Sequence, residues 1–178
     1  AIARMVFRNH KASETLYLFL LVGIGIPIYV LLFPVYRIDS LMGILGTRLG
    51  LILPYVAVNI SFNTLLFTGF LRDIPGELEE AAIIDGCGDI KLLTKVLLPI
   101  CKPIIATEAI FVFIYGYSEL IFSLTLISSQ TKYTVSRAML SFTGNHTVDM
   151  GPQFAFVVMA MIPTIIIYIL FHEKVESG

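Results

Sequence analysis

The stretch Leu49-Gly50-Leu51-Ile52-Leu53-Pro54-Tyr55-Val56-Ala57-Val58-Asn59-Ile60-Ser61-Phe62-Asn63-Thr64-Leu65-Leu66-Phe67-Thr68-Gly69-Phe70-Leu71 runs for 23 residues without a charge. An α-helix rises 1.5 Å per residue, so about 20 such residues cross a hydrocarbon core roughly 30 Å thick. Asn59, Ser61 and Asn63 within it prefer a helix–helix or pore-facing side to lipid. Two further runs flank this one at a distance. Thr15 to Tyr36 holds 22 uncharged residues, fourteen of them Leu, Ile, Val or Phe. Together these fourteen contribute about −4 to −8 kcal/mol toward insertion before any polar penalty. Pro27 and Pro34 are expected to kink this helix, which lipid tolerates when neighbouring groups satisfy the freed carbonyls. Met150 to Phe171 adds 22 uncharged residues around Pro163.

The whole chain agrees with its runs. Of 178 residues, 57% are hydrophobic and 14% charged, and the mean hydropathy is +0.87. Soluble domains carry about 45–50% apolar and about 25% charged residues. Soluble enzyme folds are thereby excluded, and an all-α, polytopic helical membrane protein in a lipid bilayer is expected. A net charge of −1 gives no case for nucleic acid. Cys87 and Cys101 are too few for a disulfide framework and lack zinc-ligand spacing. Met139, Met150, Met159 and Met161 read as packing residues rather than a metal site. The opening Ala1-Ile2-Ala3-Arg4-Met5 reads as the tail of an apolar helix at a basic boundary. It lacks the n-region and cleavage site of a signal peptide, so a fragment without its N-terminal part is expected.

A fourth run, Pro103 to about Ser128, is apolar except for Glu108 and Glu119. Eleven helical residues turn through about 1100°, roughly 20° past three turns, so one continuous helix would put both carboxylates on one face. That face either looks into the protein or a water-filled path, or sets the two groups near the interfaces, where the penalty is small. Glu108, near the predicted cytoplasmic end, reads as interfacial. For Glu119, beside Tyr115 and Tyr117, both placements stand. Spans are expected at about 15–36, 49–71, 103–128 and 150–171. Alternation then puts Arg4, Arg8, Lys11, Arg72, Lys91, Lys95, Lys102 and Lys174 on one side, and Arg37, Arg48, Lys132 and Arg137 on the other. The positive-inside rule makes the first side cytoplasmic, so 72–102 is a cytoplasmic loop and 128–150 an external one. Cys87 then lies in a reducing compartment as a free thiol.

The cytoplasmic loop reads as a helix–turn–helix. Pro75 suits a first helical turn, and Glu77, Glu79 and Glu80 complement the positive end of the helix dipole. Ala81 to Ile84 give a short apolar surface, and Gly86 and Gly88 break the helix. Asp89 is the expected N-cap of a second helix through Leu98, interrupted by Pro99 and Pro103. A short stiff amphipathic helix between two spans suits a groove on a partner protein. A helix lying on lipid is disfavoured, because anionic headgroups repel its acid-first face.

Glu80-Ala81-Ala82, then Gly86 after three residues, then Val96-Leu97-Leu98-Pro99 after nine more, resembles the EAA signature of the integral membrane subunits of ABC importers. Only Val96, where the signature has Ile, departs from it. The fuller string Ile74-Pro75-Gly76-Glu77-Leu78-Glu79-Glu80-Ala81-Ala82-Ile83-Ile84-Asp85-Gly86 resembles the carbohydrate-uptake, maltose-type branch. Tyr117-Ser118-Glu119-Leu120-Ile121-Phe122 resembles that family's W-N-E-F-x-F stretch, with Tyr and Ser in place of Trp and Asn. The resemblance covers the whole chain. It implies the type I permease fold, one transmembrane domain over 1–178 with about four of six spans, in the cell membrane of a prokaryote. Implied partners are an ABC ATPase dimer, a homologous permease and an extracellular solute-binding protein. By the motif Glu80 pairs with a basic group on the ATPase, Ala81 and Ala82 allow close packing, Gly86 permits the turn, and Asp85 supports the loop or contacts the partner, with Glu77 in the same surface.

No Gly-Lys dipeptide occurs, so a phosphate-binding loop is impossible. ATP and magnesium belong to the partner ATPase, and no cofactor or enzymatic activity is expected of this chain. The implied mechanism is alternating access driven through the coupling loop, for uptake of a sugar or oligosaccharide. Asn59, Asn63, Tyr115, Tyr117 and Glu119 are the candidates for lining the path, with helix–helix hydrogen bonding the alternative for each asparagine. Ser141 to Pro152 resembles the place where family members meet the binding protein, or is a plain connector. An ion-coupled secondary transporter would share the carboxylates and proline-broken helices, but internal repeats are not evident. An ABC permease for a non-sugar solute is the other alternative.

Overall fold

The uncharged run at 49–71 is helical throughout in the computed structural model, which describes residues 10–142 and 150–176. Its helix, α3 (Arg48–Asp73), starts where Thr47 turns extended and accepts a hydrogen bond from the Gly50 N–H at 3.2 Å. Pro54 is accommodated inside it. No strand occurs among the described residues.

The run at 15–36 is not one straight helix. It divides into α1 (His10–Val22) and α2 (Leu32–Leu41), joined by two 3-10 turns, with a bend of 95° between the limbs. The break falls at Gly23–Leu31, where Pro27 takes ψ 121° and cannot continue a helix. Pro34 does not kink anything. It sits in the first turn of α2, where a missing N–H leaves no hydrogen bond unmade. Gly23 permits the closest approach in this region, since a Cβ there would meet Ser61 Oγ of α3 at 2.2 Å.

The run at 103–128 also divides. Helix α7 (Lys102–Ser118) ends at Glu119, whose backbone is extended, and α8 (Ile121–Leu126) begins after it. Before α7, the loop carries α4 (Glu77–Ile84) and a second arm made of α5 (Asp89–Lys91), a π-helical turn at Leu92–Leu97 and α6 (Leu98–Ile100). That arm meets α7 at a 71° bend beside Cys101, a residue only 2% exposed. After α8 come α9 (Val135–Met139) and the long α10 (Met150–Glu176), which contains Pro163.

By length and composition α3 and the Met150–Phe171 part of α10 can each cross a membrane, while each of the two bent pairs passes the same test only with its limbs taken together, as a broken span or a re-entrant loop. Helix α3 packs between α1 and α7, and α10 lies along α7. Tyr117 fastens the latter pair, its hydroxyl donating to the Ala160 carbonyl at 2.8 Å. The core sits around α8. Phe122, Leu126, Ile127 and Leu51 are buried together, flanked by Ile28, Leu32, Val35, Leu45, Tyr55 and Tyr133. In lipid such contacts act through close packing rather than escape from water. Outer faces keep large apolar side chains exposed, among them Phe19, Ile52, Val158 and Ile169, as lipid or neighbouring helices require.

The stretch after α8 is held in place as far as Arg137. Gly46 N–H donates to the Leu126 carbonyl at 2.9 Å, Lys132 Nζ to the Gly46 carbonyl at 2.8 Å, and Arg137 to the carbonyls of Ser123 and Leu124. These bonds collect the exposed carbonyl end of α8 and pin α9 beside it. The expected binding-protein contact at 141–152 falls mainly on 143–149, and the opening Ala1–Met5 likewise lies outside the described residues.

Candidate functional site: the loop helix and the groove between two spans

The loop is built from local signals. Gly76 stands at the start of α4 without a side-chain cap, and its carbonyl accepts from the N–H groups of Glu79 and Glu80 at 2.9 and 3.1 Å. Pro75 therefore precedes the helix rather than opening it. Glu77, Glu79 and Glu80 occupy the first turn, where the helix dipole favours negative charge. The other end closes on Gly86, whose φ of +78° suits a residue without a Cβ. Gly86 N–H donates to the Ile83 carbonyl at 2.9 Å and Cys87 N–H to the Ala82 carbonyl at 3.0 Å, the paired bonds of a Schellman stop. The second arm begins at Gly88, with Asp89 as its first residue rather than its cap.

This turn folds α4 back on the arm, and the packing sorts the residues. Ala82 is 7% exposed, against the π-helical turn that holds buried Leu97. Of the alanine pair only Ala81 is presented outward, because Ala82 packs within the loop. Glu77, Glu80, Asp85 and Gly86 are exposed, and Ile84, 85% exposed, stands beside them. The surface of this turn thus has an acidic rim around bare isoleucine.

The five expected path residues do not stay together. Glu119 is held by three donors: Tyr55 Oη at 2.6 Å, Phe122 N–H at 2.8 Å and Ser123 N–H at 3.2 Å. Its carboxylate, one residue before the N-cap Leu120, takes up the first free N–H groups of α8. Its expected alignment with Glu108 fails because the helix stops before Glu119. Tyr117 is tied to α10 and its ring stacks on Phe113 at 5.2 Å between centroids.

Asn59, Asn63 and Tyr115 do come together, and Glu108 joins them. Asn59 and Tyr115 line a cavity of about 500 Å³ with Phe62 and Phe111, whose rings meet edge to face at 5.8 Å. Asn59 also borders a second cavity of about 390 Å³, lined by Asn63, Thr64 and Glu108. The second lies along the seam of α3 and α7, and the first between that seam and the break at Gly23, Ile24, Ile26, Pro27 and Ile28. Asn59 Nδ2 donates to the Tyr55 carbonyl at 2.8 Å, a bond within its own helix rather than between helices. Asn63 Oδ1, Glu108 Oε1 and the Tyr115 hydroxyl are buried and have no hydrogen-bond partner. Glu108 was legible as part of this group from its spacing to Phe111 and Tyr115, three and seven residues on, which places all three on one side of α7.

The described residues thus form a helical bundle with membrane-length spans, an acidic loop helix and polar groups between two spans. The chain belongs to the binding-protein-dependent transport system inner membrane component family, whose description matches residues 1–177. Members are permease subunits of ABC transporters, transport components rather than enzymes, and reside in the inner membrane.

The chain is 30% identical over 179 residues to the diacetylchitobiose uptake system permease protein NgcG of Streptomyces coelicolor, covering 99% of this chain and 58% of that one. It is 29% identical over 185 residues to the trehalose transport system permease protein SugB of Mycobacterium tuberculosis, covering 100% and 65%. It thus spans less than two thirds of the length of these relatives. The fold is shared with a bacterial ABC transporter involved in import of the acidic polysaccharide alginate, solved by crystallography. The TM-score is 0.76 at 20% identity, over 97% of this chain and 64% of that one. The chain is therefore an inner membrane component of the binding-protein-dependent transport family, and its fold is that of the permease in this importer structure.

Proposed function

We propose that the chain forms, with a second permease, the pathway by which an ATP-driven importer takes up a sugar or oligosaccharide delivered by an extracellular binding protein. The observation that carries this reading is the projecting α4 with its exposed Glu80 beside Ile84, in a chain of this family. In this reading 72–102 faces the cytoplasm and α4 seats in a cleft of the ATPase. Glu80 meets a basic group there, while Glu77, Ala81, Asp85 and Gly86 complete the contact. ATP and magnesium act on the ATPase, and closure of its two copies moves the loop helices of both permeases. The spans then swing between outward-open and inward-open arrangements, biased by the affinity of the ATPase for its closed state.

The test uses the full-length protein in native membranes. Glu80→Lys should remove the ATPase from a mild-detergent pull-down and abolish uptake, while the permease remains in the membrane fraction. Normal uptake in that variant would sink the assignment. Uptake that follows an ion gradient and survives loss of the ATPase would point instead to a secondary transporter.

A further inference from the structure

We propose that the second arm of the loop lies on the membrane surface and binds the headgroups of anionic lipids through Lys91, Lys95 and Lys102. The proposal goes beyond the importer reading and takes from it only the side of the membrane that the loop faces.

The loop sorts its charge by limb. From Glu77 to Asp85 stand four carboxylates and no base, while from Ile90 to Lys102 stand three lysines and no acid. Gly86 turns the chain between the limbs, and α4 packs on the π-helical turn of the arm. All three lysines are exposed. An anionic surface repels α4 and attracts the arm, and near such a surface each lysine adds its own share of attraction.

The bend places the arm at headgroup level. It meets α7 at 71°, so with α7 crossing the bilayer the arm runs nearly square to that span, close to the plane of the surface. Buried Cys101 closes the corner and holds the angle. Lys102 is the first residue of α7, at the corner itself. The loop joins the end of α3 to the start of α7, so Arg72 in the last turn of α3 stands at the same end of the bundle. Its guanidinium lies 5.1 Å from the centre of the Tyr17 ring. Tyrosine and basic side chains at the end of a span are what the membrane–water interface favours.

The arm also carries the apolar half of an interfacial helix. Ile90, Leu93 and Leu98 are exposed beside the lysines. On a bilayer the acyl boundary covers such groups, while lysine stems run along it and bring their ammonium groups to the phosphates. In water the same three side chains stay bare. Apolar groups and cations together, on an arm fixed beside a span, favour a lipid surface over a soluble acidic partner.

The experiment uses the full-length permease in nanodiscs with its second permease and ATPase, both cysteine-free. A fluorophore is attached at Leu93→Cys in a Cys87→Ser background, where buried Cys101 stays unlabelled. Phosphatidylcholine or phosphatidylglycerol carrying a nitroxide close to the headgroup is the quencher, titrated to half-quenching. Both lipids should quench, and phosphatidylglycerol should do so at the lower mole fraction. Lys95→Gln should reduce that preference about fivefold, the scale of one basic side chain at an anionic surface. Lys91→Gln, Lys95→Gln and Lys102→Gln together should erase it, and arginine at the three positions should restore it. High salt should weaken it, as screening requires. Absence of quenching by either lipid would put the arm in water and overturn the proposal, as would equal quenching by both in the wild type. An unchanged preference in the combined glutamine variant, with the ATPase lost from the complex, would also overturn it and assign the lysines to the ATPase. Quenching is read without transport, so a failure of the importer reading shows in uptake and leaves this result standing.

Discussion

At the scale of single residues, Glu119 shows how a membrane helix can be ended by chemistry that hydropathy does not register. Its carboxylate caps α8 through two backbone N–H groups and accepts from Tyr55 of α3. The residue at which α7 ends thus also fixes the piece that follows. Glu119→Ala should strip the cap and leave the Tyr55 hydroxyl without its acceptor, lowering stability by about 1–3 kcal/mol. Thermal unfolding in detergent, followed by exposure of buried thiols, measures it, and an unchanged midpoint would contradict the capping role. Glu119→Gln, which keeps an acceptor oxygen, should lose less.

The sequence reading erred at this residue for a reason of the same scale. Ile121 to Ile127 is as apolar as the helix before it, so a hydropathy window runs straight through the break. What stops α7 is a tertiary arrangement, with Phe122 buried at 0% exposure and an acceptor placed under the next turn. The Tyr117 bond is hidden similarly, since only the packing of α10 on α7 brings the Ala160 carbonyl to it.

At the scale of elements, the loop was far more legible than the spans. A Schellman stop needs one residue with positive φ and a few local carbonyls, so Gly86 announces it within four residues of sequence. The arm that follows shows the limit: its π-helical turn and the burial of Ala82 come from α4 folding back, which no local pattern records. The two loop cysteines provide a check. Cys87 is half-buried while Cys101 is sealed in the elbow. A membrane-impermeant maleimide should therefore label Cys87 well before Cys101. In the proposed orientation it should do so in inside-out vesicles and not in intact cells. Equal labelling of both thiols would refute the sealed elbow, and labelling from outside would reverse the orientation.

At the scale of the whole molecule, the described chain buries little. Its core gathers around α8, while α1, α3 and α10 leave most of their apolar side chains uncovered. Lipid or neighbouring subunits can cover them. A chain of this kind gains stability by mass action from whatever binds its folded form. Co-expression with its second permease and ATPase should raise the amount of intact full-length protein several-fold over expression without them, read by quantitative blotting of membranes. Equal yields would show that the permease is stable without those neighbours.

The 71° elbow at Cys101 has a mechanical meaning. Two stiff limbs meeting at a tightly packed corner make a bell crank, which turns a push along one limb into a sideways swing of the other. One limb is the arm against which α4 rests. The other is α7, which carries Glu108, Phe111 and Tyr115. In the importer reading, a stroke delivered at Glu80 would thus be geared to the width of the seam. By the reciprocity of coupled sites, a solute wedged in the seam would be felt at Glu80 as load.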